Sequence, residues 1–276
     1  MNIYPNITIV TPSYNQGQFI EETILSVKNQ EYPYIEHIII DGGSIDETLD
    51  VLKKYEQLIW VSEPDKGQSD AINKGFQKAK GDWLCWVNSD DLLLPGALEK
   101  VAKVFNKNPD VDIITGNVIY INENDFIVRC VRVPSMRWFF YRRSVGYFTA
   151  PAVFFKKELY EKVGGLDINL HYSMDIDLWH KFRLAVAKIY HIKEYLGAFR
   201  VHSSSKTGPR MTGAKKYFEH PETTLIRKRF IPHVSKVTVT LFRFFYKVWQ
   251  VVNLNYLRGK FNLQRWKGKQ WQEIFY

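Results

Sequence analysis

The stretch Trp83-Leu84-Cys85-Trp86-Val87-Asn88-Ser89-Asp90-Asp91 decides how the chain is read. Five apolar residues run without a break and give way to four polar ones, two of them adjacent carboxylates. An unbroken apolar run of this length fits a strand covered on both faces, the pattern of parallel sheets. Two carboxylates at its end cost free energy unless a cation or hydrogen-bond donors compensate them. Neighbouring residues of an extended chain point to opposite sides. One carboxylate can therefore accept from a sugar hydroxyl while the other reaches a metal. Oxygen ligands favour a hard cation, Mg²⁺ or Mn²⁺, of the kind that bridges a diphosphate. The competing reading is that one of the two merely caps the helix that follows.

The same alternation extends on both sides of this stretch. Strands are expected at 7–11, 35–40 and 58–61, with another beginning at 112–121. Helices are expected at 19–30, 46–55, 69–79 and 95–106, the second with Asp46 as its cap and the last with Pro95 near its start. Beyond residue 122 the pattern loosens. Residues 137–147 interleave aromatics with Arg137, Arg142 and Arg143, and helices are expected at 157–163 and 175–186 before a strand at 195–201. Strands alternating with helices argue for a mostly parallel sheet flanked by helices on both faces. Polar clusters follow three strands: Ser13-Tyr14-Asn15, Asp41-Gly42-Gly43-Ser44 and Asn88-Ser89-Asp90-Asp91. Ligands of open α/β sheets bind outside the carboxyl ends of the strands, so these clusters are expected to converge on one crevice.

Four segments in this order, Thr11-Pro12-Ser13-Tyr14-Asn15, Ile40-Asp41-Gly42-Gly43-Ser44 with Asp46, Asn73-Lys74-Gly75 and Asn88-Ser89-Asp90-Asp91, resemble the inverting glycosyltransferases of family 2. The likeness covers roughly residues 5–205, and the segment from Ser62 to Gly75, with Asp65-Lys66-Gly67-Gln68, is similar to members that build bacterial surface polysaccharides. It implies an α/β, GT-A-like fold with a mostly parallel central sheet, a Rossmann-like nucleotide-binding half at 1–120, an acceptor half at 121–205, and a helical extension at 206–276. It also implies transfer from a nucleotide-sugar, UDP-linked before GDP- or dTDP-linked, to an acceptor hydroxyl with inversion. Residue by residue, Pro12, Tyr14, Asp41, Asp70, Asn73 and Asp90 would bind the nucleotide-sugar. Asp91, joined by His202, would hold Mn²⁺ or Mg²⁺, and Asp175 would be the catalytic base. Two departures stand out: Gly42 replaces a second acid common in the family, and Met174 replaces the first acid of the pair at the base. Asp177 reads as a surface salt bridge to Lys181 at i+4, and Ser203-Ser204-Ser205-Lys206 as a lid over the diphosphate or an ordinary solvated loop.

Hydrophobic residues make up 45% of the 276 and charged ones 24%, enough for a packed core. The two cysteines form no metal or disulfide pattern, and Cys85 lies inside an apolar run, which fits a reducing, cytoplasmic setting. No leader peptide and no membrane span are expected. Residues 206–276 hold 15 Lys and Arg against 3 Asp and Glu, whereas residues 1–205 carry a small acidic excess. From residue 237 onward this basic, aromatic segment reads as one long helix. Its expected partner is the inner face of a membrane bearing a glycan or lipid-linked acceptor, and the competing reading packs it on its own domain or on a second copy in a homodimer. No nucleic-acid module is present. A sugar nucleotidyltransferase would need a Gly-rich, basic first loop, which Ser13-Tyr14-Asn15-Gln16-Gly17 is not, and a dehydrogenase would need a GxGxxG after the first strand. A non-catalytic, membrane-associated binding module draws support only from Met174.

Overall fold

The computed structural model describes residues 4–132, 148–206 and 220–276. The aromatic and arginine-rich stretch at 137–147 lies outside these. A nine-stranded mixed sheet runs in the order β3-β2-β1-β4-β8-β6-β9-β5, with β7 paired to β6. Its first half is built from β1 (Ile7–Ser13), β2 (Ile35–Asp41), β3 (Ile59–Ser62) and β4 (Trp83–Trp86), all mutually parallel. Helices α1 (Gly17–Lys28), α2 (Thr48–Lys53) and α3 (Gln68–Lys78) make the crossovers.

Strict two-residue alternation explains why these strands read as unbroken apolar runs. Ile7, Ile9, Trp83 and Cys85 face one layer, with α1 and α4 (Ala97–Lys107). Val10, Ile38, Ile40, Leu84 and Trp86 face the other, beneath α3. Because both faces are covered, neither set can be polar. β1 lies between β2 and β4, so the chain leaves it on one side and returns on the other. The carboxyl ends of β1 and β4 are therefore the topological switch point, where an open α/β sheet forms its crevice.

The second half adds β5 (Leu92–Leu93), β6 (Ile113–Asn122), β7 (Ile127–Val131), β8 (Val153–Lys156) and β9 (Ile189–Val201). β8 runs antiparallel to β4 and β6, and β5 antiparallel to β9, whereas β6 and β9 are parallel. Helices α5 (Lys157–Lys162) and α6 (Met174–Leu184) cover the α3 side.

The C-terminal region is helical, but it is not one helix. It comprises α7 (Pro221–Phe230), α8 (Lys236–Val252), α9 (Asn255–Trp266) and α10 (Gln272–Phe275). Leu254 takes a left-handed conformation with φ 57°, which ends α8 and starts α9. Neither end of the region is detached. Ile226 of α7 is buried in the main core. Trp271 is buried among Leu92, Ile119, Ile127 and Tyr195, and the Ile127 N–H donates to the Lys269 carbonyl. Long-range packing of an aromatic hub thus fastens the last residues to the sheet. Trp271→Ala is expected to lower the unfolding free energy by about 3 kcal/mol, measured by urea denaturation, a loss that a loosely attached tail would not show.

Candidate active site

The turn after β4 is held from three directions. The Thr23 hydroxyl of α1 donates to the Ser89 and Asp91 carbonyls. The Arg200 N–H, in β9, donates to Asp91 Oδ1 at 3.0 Å, and Arg200 Nε donates to the Asp90 carbonyl at 3.0 Å. Asn88 Nδ2 donates to Asp91 Oδ2 at 2.8 Å. Asp91 is fully buried, and burial, followed by the neighbouring Asp90 carboxylate, holds its carboxyl well above the usual carboxylate range. Asp90 points the other way. Its Oδ2 lies 3.0 Å from His202 Nε2, while His202 Nδ1 meets the Ser204 hydroxyl and the ring packs on Phe19.

The two aspartates have different partners, but they sit in a turn beyond the end of β4, closed by the Asp91 N–H donating to the Asn88 carbonyl, and not in an extended chain, and His202 pairs with Asp90 and not with Asp91. The expectation that put the metal on Asp91 meets a carboxyl whose two oxygens are already occupied inside the protein. Asp90 Oδ2 and His202 Nε2 are bonded to each other, and a hard cation that took the place of this hydrogen bond would meet one carboxylate oxygen and one imidazole nitrogen, a donor set that suits Mn²⁺ or Mg²⁺ when other oxygens complete the shell. Among the described residues no cluster of three His, Cys, Asp or Glu side chains is placed to hold a metal alone.

At the β2 end, Asp41 is also buried. Its carboxylate accepts from the Gly43 and Ser44 N–H groups at 3.1 and 2.9 Å and from the hydroxyls of Ser44 and Ser62. This is the turn-closing role that short acids play in such loops, and it leaves the nucleotide to neighbours. Pro12 is buried within β1, whereas Tyr14 is exposed at its end. Gly42 has a structural reason: a Cβ there would lie 2.9 Å from Asp65 Oδ2. The carboxylate missing from position 42 is thus replaced in space by Asp65, from the loop between β3 and α3.

Asp70 and Asn73 lie on α3, and both are engaged. Asp70 accepts from the Lys66 N–H and pairs with Lys74 at 3.5 Å. The Asn73 amide clamps the Leu166 backbone, donating to its carbonyl at 2.9 Å and accepting from its N–H at 3.1 Å, with the Tyr160 hydroxyl as a further donor. Asn73 thereby fixes the Gly164-Gly165 turn that leads towards Asp175, and Gly165, with φ 67°, sits against the same Asn73 oxygen.

Asp175 opens α6, which is docked by Trp179 stacked on Trp86 at 5.4 Å, the last residue of β4. The carboxyl keeps a partly accessible surface, yet enclosure by protein pushes it up to about 6, against the pull of its hydrogen bond from the Ile176 N–H. Met174 turns inward into the main core. Asp177 does pair with Lys181, at 2.9 Å, but it is buried, not on the surface, and it also binds Arg229 of α7 at 3.1 Å.

A chain of side chains joins Asn88, in the turn that bears the two aspartates, to the loop before Asp175. Gln68 Nε2 donates to Asn88 Oδ1 at 2.6 Å, and Lys206 Nζ donates to Gln68 Oε1 and to the His171 carbonyl, each at 3.0 Å. Burial lowers the Lys206 pKa, opposed by the Glu222, Asp90 and Asp65 charges. Lys206 is therefore tethered across the site by two hydrogen bonds while remaining exposed. Arg200, Gln68 and Asp65 were not singled out from the sequence. Asp65 and Gln68 carried a local signal, their place in Asp65-Lys66-Gly67-Gln68, but no role was assigned to them from it.

The Glycosyl transferase family 2 model matches residues 8–164. The chain belongs to this family and is a glycosyltransferase. The putative teichuronic acid biosynthesis glycosyltransferase TuaG of Bacillus subtilis is 25% identical over 78% of this chain and 86% of its own. The structure of Staphylococcus aureus TarS with UDP-GlcNAc superposes with TM-score 0.64 at 16% identity, over 86% of this chain and 70% of that one. The mannosyltransferase PcManGT of Pyrobaculum calidifontis, with GDP-Man and Mn²⁺, gives 0.58 at 16%, over 91% and 76%. These two likenesses establish the GT-A-like fold.

The state of Asp175 sets a signature in stability. Its folded pKa is raised, so its favourable contribution is complete below the unfolded value near 4 and is lost as pH rises through about 6. Asp175→Asn should melt about 2–6 °C above the parent at pH 7.5 and level with it at pH 4, read by calorimetry.

Proposed function

We propose that the protein moves a sugar from a UDP-sugar to an acceptor hydroxyl in a single inverting displacement, in the synthesis of a bacterial surface polysaccharide or its lipid-linked precursor. The observation that carries this reading is the Asn88–Gln68–Lys206–His171 chain of contacts. It runs from Asn88, whose amide holds Asp91 in the turn that also bears Asp90, to the loop that delivers Asp175, so the strand-end turn and the proton-accepting end belong to one site.

Tyr14 offers its ring to the base, and Asp65 offers the carboxylate that Gly42 lacks. Asp41, Asp70, Asn73 and Asp91 shape the crevice from behind, since their polar atoms are already bonded within the protein. Asp90 and His202 would hold a divalent cation, which would supply positive charge against the departing diphosphate. Asp175 takes the proton of the acceptor hydroxyl, and a carboxylate near pKa 6 is a better base than an ordinary aspartate while still ionised at neutral pH. The acceptor oxygen then bonds to the anomeric carbon as the bond to the diphosphate breaks on the opposite face. Lys206 stands beside Asp90 as a cation for the leaving group. With one base and no enzyme nucleophile, a single displacement inverts the configuration. The relationship to TuaG supports the polysaccharide setting, and the TarS complex supports UDP over the GDP of PcManGT.

Asp175→Asn should slow transfer by about 10³-fold while UDP with Mn²⁺ still raises the melting temperature. Asp90→Asn should remove the Mn²⁺-dependent part of that rise. In the parent enzyme, kcat/KM should fall about tenfold per pH unit below about 6. Turnover by Asp175→Asn within threefold of the parent would sink the assignment of the base, and a larger stabilisation by GDP than by UDP would overturn the donor.

A further inference from the structure

We propose that α8 and the start of α9 form a docking face for an anionic lipid bilayer, lying in the plane of its surface. The observation is an exposed apolar stripe. Val237, Leu241, Phe244, Phe245, Val248, Val251 and Val252 fall at i, i+4, i+7, i+8, i+11, i+14 and i+15, and their exposures run from 42% at Val248 to 68% at Val237 and Val252. At 100° per residue these positions share an arc of about 120°, one side of the helix. Beyond the left-handed Leu254, α9 continues with exposed Tyr256, Leu257 and Phe261.

The protein's own domain does not need this face. The opposite side of α8 carries Val239, which is buried, and α9 is seated on β7 closely enough that a Cβ on Gly259 would lie 2.9 Å from the Cys130 carbonyl. The helix pair is thus fixed from behind with its apolar stripe turned outward. Soluble proteins keep contiguous apolar patches small, and one this regular marks an interaction surface.

Charge selects the occupant. From residue 223 to 272 the chain contains no Asp or Glu and eleven Lys and Arg. Arg243 and Lys247 are exposed along one edge of the stripe, and Arg258 and Lys260 are exposed on α9. An apolar face flanked by long cationic side chains is the pattern of an interfacial helix, whose cations reach anionic headgroups while the apolar side chains enter the acyl boundary. No described helix is long and apolar enough to cross a membrane. A second copy is the poorer occupant: two such faces meeting about a twofold axis would bring cationic edges together with no acid in the segment to pair them. The proposal stands apart from the transfer chemistry and would survive its failure.

The test uses the full chain, sedimented with vesicles of phosphatidylcholine alone or with about one-third phosphatidylglycerol, beside light scattering of the free protein. Binding should be about tenfold or more tighter on the anionic vesicles. Phe244→Ser with Val248→Ser should weaken it about tenfold, and Arg243→Gln with Lys247→Gln should erase the preference for phosphatidylglycerol, both without lowering the melting temperature. Protein left in the supernatant with anionic vesicles overturns the proposal, as does equal binding to both compositions. A stable dimer that becomes a monomer with the Phe244 and Val248 substitutions assigns the face to a second copy instead.

Discussion

Arg200 is buried at the end of β9 and joins four parts of the molecule at once. Its guanidinium meets Glu22 of α1, Asp125 in the turn between β6 and β7, and the carbonyls of Asp90 and Asn122, and its own N–H holds Asp91. A buried cation is tolerable only with such partners, and removing any one leaves an uncompensated charge. Burial raises the pKa of Glu22, opposed by Arg200. The cluster is therefore better understood as a device for geometry than for stability: it leaves the turn that bears the two aspartates a single way to sit. The last residues close it, since the Trp271 indole donates to Glu22 and Gln272 reaches Asp125.

From that constraint follows a division among the strand-end carboxylates. Asp41 and Asp91 turn inward and spend their oxygens on backbone and side-chain donors, while Asp90 pairs with His202 and Asp65, which accepts from the Gly67 N–H, keeps its second oxygen beside Gly42. The strand-end position of Asp90 and Asp91 was legible, but the period of two does not reach them, because β4 ends at Trp86 and the pair lies in a turn. Nor was it legible which one turns inward, because the donors that decide it, Arg200 and Asn88, include one 109 residues away in sequence. Gly42 is the same lesson. Its neighbour in space is Asp65, and only the approach of two loops turns an apparent loss of an acid into a relocation.

The parallel half of the sheet was readable because both of its faces are covered, so apolar runs, caps and polar strand ends all point to one architecture. The second half was less so. Its strands pair across long separations, antiparallel at β8 and β5 but parallel between β6 and β9, and the long strand ending at Val201 carries Lys193-Glu194 in its first half, which interrupts its apolar pattern. Asp177 was read as a surface residue because local spacing on its helix offers an exposed pair with Lys181, whereas tertiary packing buries it and adds Arg229 as a second partner. Asn73, expected from the resemblance at the nucleotide-sugar, has its amide engaged with the Leu166 backbone, a contact that no local spacing announces.

That last contact bears on what the basic region is for. Glu222 of α7 accepts from three consecutive N–H groups, those of His171, Tyr172 and Ser173, immediately before Asp175. Burial alone would raise its pKa, but these bonds hold its carboxylate below the usual range. Arg229 on the same helix binds Asp167 and Asp177 on either side of Asp175. The loop that presents the base is thus shaped by the region that begins just beyond Lys206, and the metal-type end is closed by Trp271 from its far end. A segment that clamps both ends of the site cannot be an appendage tolerated for its charge. It completes the crevice, and the helices strung between its two clamps are seated on the domain from behind and keep an exposed apolar face on the other side.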